Sequence, residues 1–411
     1  MPTPNTALSP ARLAELSATY RDGLLNDIVP FWLRHGLDRE HGGIMTALNR
    51  DGAVIDTDKG LWQQGRFVWL LATLCHSVEP REEWIAAAES TVNFIHKSAH
   101  TEDDLMYFQV TREGKPLRRR RYVYTESFAA IALAAWSRVS GDPEARAEAI
   151  DHFHRFVDYN RTPGWIAPKV DLATRPSQGL GPNLILINTC RVLRDAIGFG
   201  EADAFIDEAI EIIERCFVNE EYQAVLETVG PEGEIIDHFD GRLLNPGHAI
   251  ELAWFILHEA WQRGNDARLL ALGCKILDWT WARGWDQEYG GILYFRDLKG
   301  LPVQEYWQDM KFWWPQNETI IATLLAYALT GDAKYAEWHT LIHDWTHSLF
   351  PDPEYGEWFG YLHRDGRISV PLKGNIWKGP FHIPRMQWYC WQLCDRMIAR
   401  EGDAPITPIS F

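Results

Sequence analysis

Apolar residues recur at helical spacing in a long series of segments along the chain. A period near 3.6 residues places them on one face, which is the pattern of an amphipathic helix packed on a core. The clearest segments are Leu61 to Cys75, Trp84 to Ile95, Phe128 to Trp136, Ile206 to Cys216, Ala249 to Trp261, Leu269 to Trp281, Glu318 to Leu329, Trp338 to Leu349 and Met386 to Ile398. We therefore expect about twelve helices, two in each repeat of the chain.

Short aromatic segments that end in a glycine turn separate the predicted helices. They read HGGIMTALNRDG from His41, LMYFQVTREG from Leu105, QAVLETVGPEG from Gln223, YGGILYFRDLKG from Tyr289 and YGEWFGYLHRDG from Tyr355. Each predicts a β-hairpin, because the final glycine can supply the positive φ of a tight turn. The copies recur roughly every 60 residues, and a degenerate copy, TPGWIAPKV near Pro163, fills the one double gap.

Six hairpins with two helices each can build either an open solenoid or a closed ring. An open solenoid needs polar caps at its ends. Here both terminal regions are apolar and aromatic, with Phe31-Trp32-Leu33 near one end and Met386 to Tyr389 near the other. The pattern predicts an all-α fold, an (α/α)6 barrel in a single domain over residues 1–411. Its hairpins should crowd one rim and line a cleft.

Composition narrows the classes of partner. A formal net charge of −17 disfavours binding to nucleic acid or to anionic membranes. The six cysteines are scattered, which favours reduced core thiols over a metal site. The chain shows neither a secretory signal nor an apolar run long enough to span a membrane, so we expect a cytoplasmic protein. Walker, dinucleotide-binding, nucleophile-elbow and zincin motifs are also absent.

Two histidines fall at predicted helix starts on glycine-containing segments. In NPGHAIE, Asn245 can cap the helix and His248 lies in its first turn, with Glu251 three residues on, where it could orient the imidazole or tune its pKa. In KGPFHIPR, His382 precedes Pro384, which should open the last helix. Each histidine alone could simply pack at a helix start. Two in one repeat barrel favour a role in proton transfer.

Other candidates surround these histidines. In KFWWPQNE, Trp313 and Trp314 offer flat faces for a sugar and Glu318 lies early in a helix, where a carboxylate is also a common dipole partner. Arg66 lies on an otherwise apolar helix. It must either pair with a core carboxylate or bind an anionic group, such as a developing enediolate oxygen.

Three further residues complete the predicted substrate-binding set. Glu126 lies in the segment TES, Asn183 lies in GPNLILIN, and Arg121 ends a run of arginines that we expect to be solvated or to face the rim.

Eight motifs in this order resemble the N-acylglucosamine 2-epimerase family, which includes the mammalian renin-binding protein. They are DREHGGIMTAL from Asp38, WQQGRFVW from Trp62, TES from Thr125, NPGHAIE from Asn245, GWDQEYGGILYF from Gly284, KFWWPQNE from Lys311, DPEYGEWFGYL from Asp352 and KGPFHIPR from Lys378. The resemblance runs nearly end to end.

The resemblance implies an (α/α)6 barrel and exchange of a sugar with its C2 epimer without a redox cofactor. It implies catalytic roles for His248, His382, Arg66 and Glu318, and Glu251 also matches the family. Family members commonly favour N-acetylglucosamine and N-acetylmannosamine, and ATP activates some of them without being consumed. Disaccharide epimerases and aldose-ketose isomerases are similar, but place an extra histidine in the segment that reads GPNLILIN here.

We expect a C2 epimerase that works by proton removal and return through an enediolate. Three alternatives stay open at this point: an epimerase or isomerase of a plain aldose or a disaccharide, a glycoside hydrolase using Glu251 and Glu318, and a sugar-binding protein without catalysis. We expect no metal. A homodimer is possible through exposed apolar helices.

Overall fold

Twelve long helices form two concentric layers in the part of the chain described by the computed structural model, which covers residues 8–98, 100–102, 104–119, 124–162, 164–165, 170–400, 402 and 404–411. The first, α1, spans residues 10–35 and contains a π-helical stretch at Gly23–Ile28. The others are α2 Leu61–Ser77, α3 Glu82–Lys97, α4 Tyr124–Ser140, α5 Pro143–Arg161, α6 Gly181–Ile197, α7 at 202–217, α8 Pro246–Gln262, α9 Ala267–Gly284, α10 Trp313–Thr330, α11 Ala333–Leu349 and α12 His382–Ala399. A short helix, Phe239–Arg242, precedes α8.

The even-numbered helices form the inner layer. In that layer α2 packs on α4, α4 on α6, α8 on α10 and α10 on α12. Each outer helix packs on one inner helix, and the first of them, α1, packs on the last inner helix, α12. The indole Nε1 of Trp388 on α12 also donates to Ser77 Oγ on α2 at 2.9 Å. The chain therefore closes into the predicted (α/α)6 barrel, and every helix predicted from periodicity is confirmed.

Burial on all sides distinguishes the inner helices. On α8 every residue from 249 to 261 is buried, so its apolar pattern is nearly continuous rather than one-sided. Its start is fixed locally, because Asn245 Oδ1 accepts from the backbone N–H of His248 at 3.2 Å and Pro246 occupies the first turn.

The strands are short and antiparallel, and they cluster where the inner helices begin. They are β1 Lys59–Gly60, β2 Gln109–Val110, β3 Pro116–Arg118, β4 Gln178–Gly179, β5 Val218–Asn219, β6 Ala224–Val225, β7 Thr228–Val229, β8 Leu243–Leu244, β9 Arg296–Asp297, β10 Lys311–Phe312, β11 Tyr361–Leu362 and β12 Ile368–Val370. The sheets are β1-β2-β3, β10-β11-β12, β4-β7, β5-β6 and β8-β9.

Three of the five predicted hairpins pair across their own turn: β2 with β3, β11 with β12, and Leu48 with Val54 through an isolated bridge. The other two keep the glycine turn, but their strands pair mainly with neighbouring segments. The five predicted turn glycines all have positive φ: Gly52, Gly114, Gly233, Gly300 and Gly366. The degenerate copy near Pro163 lies largely outside the described residues.

Three buried aspartates tie the rim segments together with the same set of partners. Each carboxylate accepts from one buried lysine at 2.8–3.0 Å and from Nε and Nη2 of one arginine at 2.8–3.0 Å. Burial alone would raise the pKa of each aspartate, but these bonds hold it well below its usual value. The clusters are Asp38 with Lys59 and Arg112, Asp286 with Lys311 and Arg364, and Asp352 with Lys373 and Arg50.

The third cluster joins the first rim segment to the last, since Arg50 and Asp352 lie 302 residues apart. We predict that Asp352→Ala lowers the free energy of unfolding by about 3–5 kcal/mol, because the fully buried Lys373 ammonium would lose its counterion. Chemical denaturation measures the change. The exposed pair of Asp207 with Arg263 provides the control, and Asp207→Ala should change stability by less than about 0.5 kcal/mol. Equal effects of the two variants would contradict the assignment.

A column of three histidines fills the contact between α1 and α11. Tyr20 Oη lies 3.2 Å from His339 Nε2 and 2.8 Å from His343 Nδ1, and the rings of His343 and His347 stack at 4.0 Å. Burial lowers the pKa of His339 to about 3 and that of His347 to about 4, and it lowers that of His343 as well. The column is therefore neutral in the folded protein.

This column should make the fold sensitive to acid. An unfolded histidine has a pKa of about 6.5, so below that pH the unfolded chain binds more protons than the folded one. Stability should fall as pH drops from 6.5 to 5, by up to about 1.4 kcal/mol per pH unit for each histidine. Thermal unfolding across this range measures the slope. His343→Gln, which can still bond to Tyr20 but does not titrate, should give a shallower slope, and identical slopes would contradict the prediction.

Among the described residues, none of the helices combines the length and apolar character that crossing a membrane requires. All six cysteines are free, and five of them are buried.

Candidate active site

A cavity of about 660 Å³ opens at the rim where the six inner helices begin. Its wall is mainly aromatic, with Trp62, Phe108, Tyr124, Phe128, Tyr294, Trp307, Phe312, Trp313, Trp314, Tyr361, Trp377 and Phe381. The ionisable side chains with nitrogen or carboxylate groups that line it are Arg66, His248, Glu251, His382 and Arg385. Flat rings with a few polar groups form a surface suited to a sugar.

His248 lies in the first turn of α8 and faces the cavity, with its side chain 38% exposed. Its Nδ1 lies 2.9 Å from Glu227 Oε2. Burial lowers the pKa of His248, but the charge of Glu227 and the hydrogen bond to it raise that pKa more, so the net shift is upward. Glu251 does not orient this ring, because its Oε1 accepts from Arg385 Nη2 at 2.5 Å, but its charge also raises the pKa of His248.

His382 is the first residue of α12, and its surroundings shift its pKa in the opposite direction. Its Nδ1 lies 2.7 Å from Glu318 Oε1. Burial lowers its pKa well below the usual value, and the positive charges of Arg385 and Arg66 lower it further. A neutral ring whose Nδ1–H donates to Glu318 keeps the lone pair of Nε2 available as a base.

The two histidines both lie beside one indole ring. The ring centroid of Trp314 is 5.1 Å from that of His248 and 5.8 Å from that of His382. The structure thus brings together one histidine whose surroundings raise its pKa and one whose surroundings lower it. Such a pair can supply an acid and a base to the same bound molecule.

Arg66 is held by aromatic faces rather than by a counterion. Its guanidinium carbon lies 4.2 Å from the ring centroids of Trp62 and Phe128 and 4.6 Å from that of Phe381. Burial and the nearby charge of Arg385 lower its pKa to about 9, so it stays cationic at neutral pH. The alternative of a structural ion pair fails for the described residues, where no carboxylate lies within ion-pair distance. Arg66 is available for an anionic group in the cavity.

Glu318 lies behind the cavity wall rather than in it. It is fully buried, and its oxygens accept from His382 Nδ1, Trp254 Nε1 and Arg385 Nη2, each at 2.7 Å. With Glu251 and His382 it forms a group of possible metal ligands. The Arg385 guanidinium, however, already lies against Glu251 and Glu318 and offsets one of their two negative charges.

Glu126 is part of the scaffold, contrary to the predicted contact with substrate. Its Oε1 accepts from the backbone N–H of Met106 at 2.8 Å and its Oε2 contacts His152 at 2.6 Å. Gln64 and Gln316 bind the backbone of Ile44 and Ile292 in the same way. Helix-start residues of this kind clamp the preceding rim segment in three repeats.

The remaining predictions have mixed outcomes. Trp313, Trp314 and Glu251 line the cavity, whereas Asn183 does not, and Asn188 on the same helix does. Arg121 lies outside the described residues. Sequence reasoning missed Glu227, Arg385 and Asn188, although all three lie within or just after motifs quoted above.

The sequence profile of the N-acylglucosamine 2-epimerase (GlcNAc 2-epimerase) family matches residues 42–383. The chain belongs to the N-acylglucosamine 2-epimerase family. The N-acylglucosamine 2-epimerase of Bos taurus is 37% identical over 394 residues, covering 92% of each chain, and that of Homo sapiens is 32% identical over 387 residues, covering 91% and 88%. The solved cellobiose 2-epimerase of Spirochaeta thermophila has a similar fold, with a TM-score of 0.82, 22% identity and coverage of 95% and 99%.

The Glu227–His248 pair makes a direct prediction for this member of the family. In Glu227→Gln the charge of Glu227 is lost while burial still lowers the pKa of His248, and only the smaller influence of Glu251 still raises it, so the pKa should fall. NMR titration of histidine Cε1–H signals measures it. Glu232→Gln, an exposed change in the same rim segment, is the control. An unchanged titration of His248 in Glu227→Gln would contradict the assigned contact.

Proposed function

We propose that this protein interconverts N-acetylglucosamine and N-acetylmannosamine by moving a proton at C2 of the open-chain sugar. The observation that carries the proposal is the pair of cavity histidines beside Trp314 whose surroundings shift their pKa values in opposite directions. The preference for N-acyl sugars is supported by the similarity of nearly the whole chain to the N-acylglucosamine 2-epimerases of Bos taurus and Homo sapiens.

The first chemical step is removal of the C2 proton next to the C1 aldehyde. In one direction, neutral His382 takes the proton through Nε2, the C2–H electrons form a C1–C2 double bond, and the carbonyl electrons move to the C1 oxygen. In an N-acyl sugar C2 carries nitrogen, so the intermediate is an enolate, while a plain aldose gives an enediolate. Arg66 supplies positive charge for this oxygen.

The second step returns a proton to the opposite face of C2. Protonated His248 donates it, and the C1 oxygen electrons re-form the carbonyl. The reverse reaction exchanges the two roles. Because no electrons are gained or lost overall, the proposal includes no redox cofactor, and ATP enters only as a possible activator.

The geometry favours this chemistry over glycoside hydrolysis. A hydrolase needs two carboxyl groups flanking the scissile bond. Here Glu318 is fully buried behind His382, and Glu251 is paired with Arg385. A binding protein without catalysis would leave no purpose for two histidines whose environments pull their pKa values apart.

Replacing one histidine at a time tests the two-sided mechanism. In D₂O, His248→Asn and His382→Asn should each lose epimerisation by about 10²-fold or more, because one face of C2 then lacks its acid–base group. Each variant should still exchange the C2 proton for deuterium in one epimer, the one whose proton faces the remaining histidine. Proton NMR of N-acetylglucosamine and N-acetylmannosamine, supplied separately, measures both rates.

The two variants should be complementary, so that each exchanges the epimer that the other does not. Two results would contradict the proposal: near wild-type epimerisation by either folded variant, or exchange of the same epimer by both.

A further inference from the structure

We infer that Asn188 recognises the carbonyl of the substrate's N-acyl group and is a specificity-determining residue; this inference rests on the proposed function. Asn188 lies on α6 and lines the cavity while only 6% exposed. The α6 residues that line the cavity are Gly181, Leu184, Ile185 and Asn188. They occupy positions i, i+3, i+4 and i+7, which lie on one helix face, and none of them is ionisable.

A buried arginine fixes which end of the Asn188 amide faces the cavity. Arg191 Nη2 donates to Asn188 Oδ1 at 2.9 Å. An arginine has no acceptor, so the amide oxygen must face Arg191 and the NH₂ group must point the other way. Among the described residues nothing accepts from Asn188 Nδ2, and this atom is not enclosed by protein. The NH₂ group of Asn188 therefore faces the cavity as a hydrogen-bond donor in a fixed orientation.

Arg191 is itself immobilised. It is fully buried, and its guanidinium carbon lies 4.3 Å from the ring centroid of Phe411 and 4.9 Å from those of Trp254 and Phe255. Trp254 in turn donates to Glu318, which holds His382. A continuous set of contacts thus links Asn188 to the reactive end of the cavity.

The other cavity amide has a different role. Asn375 Oδ1 accepts from the backbone N–H groups of Trp377 and Lys378, and its Nδ2 donates to Tyr361 Oη. Both ends of Asn375 are used within the protein, so it keeps that rim segment in shape.

An amide donor beside apolar side chains matches an acetamido group. The Asn188 NH₂ can donate to the acyl oxygen, and Leu184 and Ile185, one turn earlier, can contact the acyl methyl. A sugar with a hydroxyl at C2 has no methyl group that could contact Leu184 and Ile185. We conclude that this face of α6 selects N-acyl sugars over plain hexoses.

Binding of unreactive open-chain analogues tests the inference separately from turnover. The probes are 2-acetamido-2-deoxy-D-mannitol and D-mannitol, which differ at C2 only, and isothermal titration calorimetry measures their dissociation constants. In Asn188→Ala the constant for the acetamido compound should rise about tenfold while that for mannitol stays within about twofold. Asn183→Ala, on the same helix but outside the cavity wall, should change neither.

Asn188→Asp gives a second variant that keeps the contact with Arg191 and removes the donor. It should lose the preference for the acetamido compound as well. If both folded variants weaken the two probes equally, or leave the acetamido preference intact, the inference is wrong even though the epimerase proposal stands. If the wild-type protein epimerises no N-acyl sugar, the epimerase proposal itself fails.

Discussion

The carboxylate of Glu318 is the interaction on which the active site depends. It is removed from solvent, and such a group is stable only when charged partners and hydrogen bonds replace its water. Arg385 supplies the charge, and Trp254 and His382 supply donors. Because these partners come from α8 and α12, one buried group on α10 fixes three inner helices and the tautomer of His382 together.

The closed ring explains why the chemistry lies at the rim. Inner helices buried on all sides leave few places for polar side chains, and their N-terminal turns are where backbone N–H groups and side chains face the cavity. The buried Asp–Lys–Arg clusters hold the rim segments against these turns. His248, His382 and the two tryptophans of α10 come from such helix starts, and Arg66 comes from the second turn of α2. A rigid rim therefore positions groups from distant parts of the sequence.

The barrel could be predicted because its signals are local and repeated. Helical periodicity and glycine turns recur along the chain, and they gave the helix positions and the closed architecture. The helices α1, α5 and α6 were counted but not placed individually, because their apolar patterns are weaker or mixed with charge. The residues at helix starts that line the cavity were also predictable, since histidine, arginine and tryptophan there stand out from the pattern.

The pairing of these residues could not be predicted, because it joins distant segments. Glu251 lies three residues from His248 and was the natural partner by spacing, yet Glu227 in the preceding rim segment takes that place. Glu126 resembles a site residue in sequence. In the structure it instead accepts from the backbone of a rim segment, as Gln64 and Gln316 do in two other repeats. Asn183 and Asn188 lie on different faces of the same helix. Only the packing of the closed barrel determines which of these faces lines the cavity.

The most direct test of the account is proton NMR of the wild-type protein with N-acetylmannosamine in D₂O. The account predicts N-acetylglucosamine with deuterium at C2, formed while unconverted N-acetylmannosamine keeps its C2 proton at early times, because different histidines serve the two faces. Product that retains the original C2 proton, or no conversion of the N-acyl sugar, would contradict it.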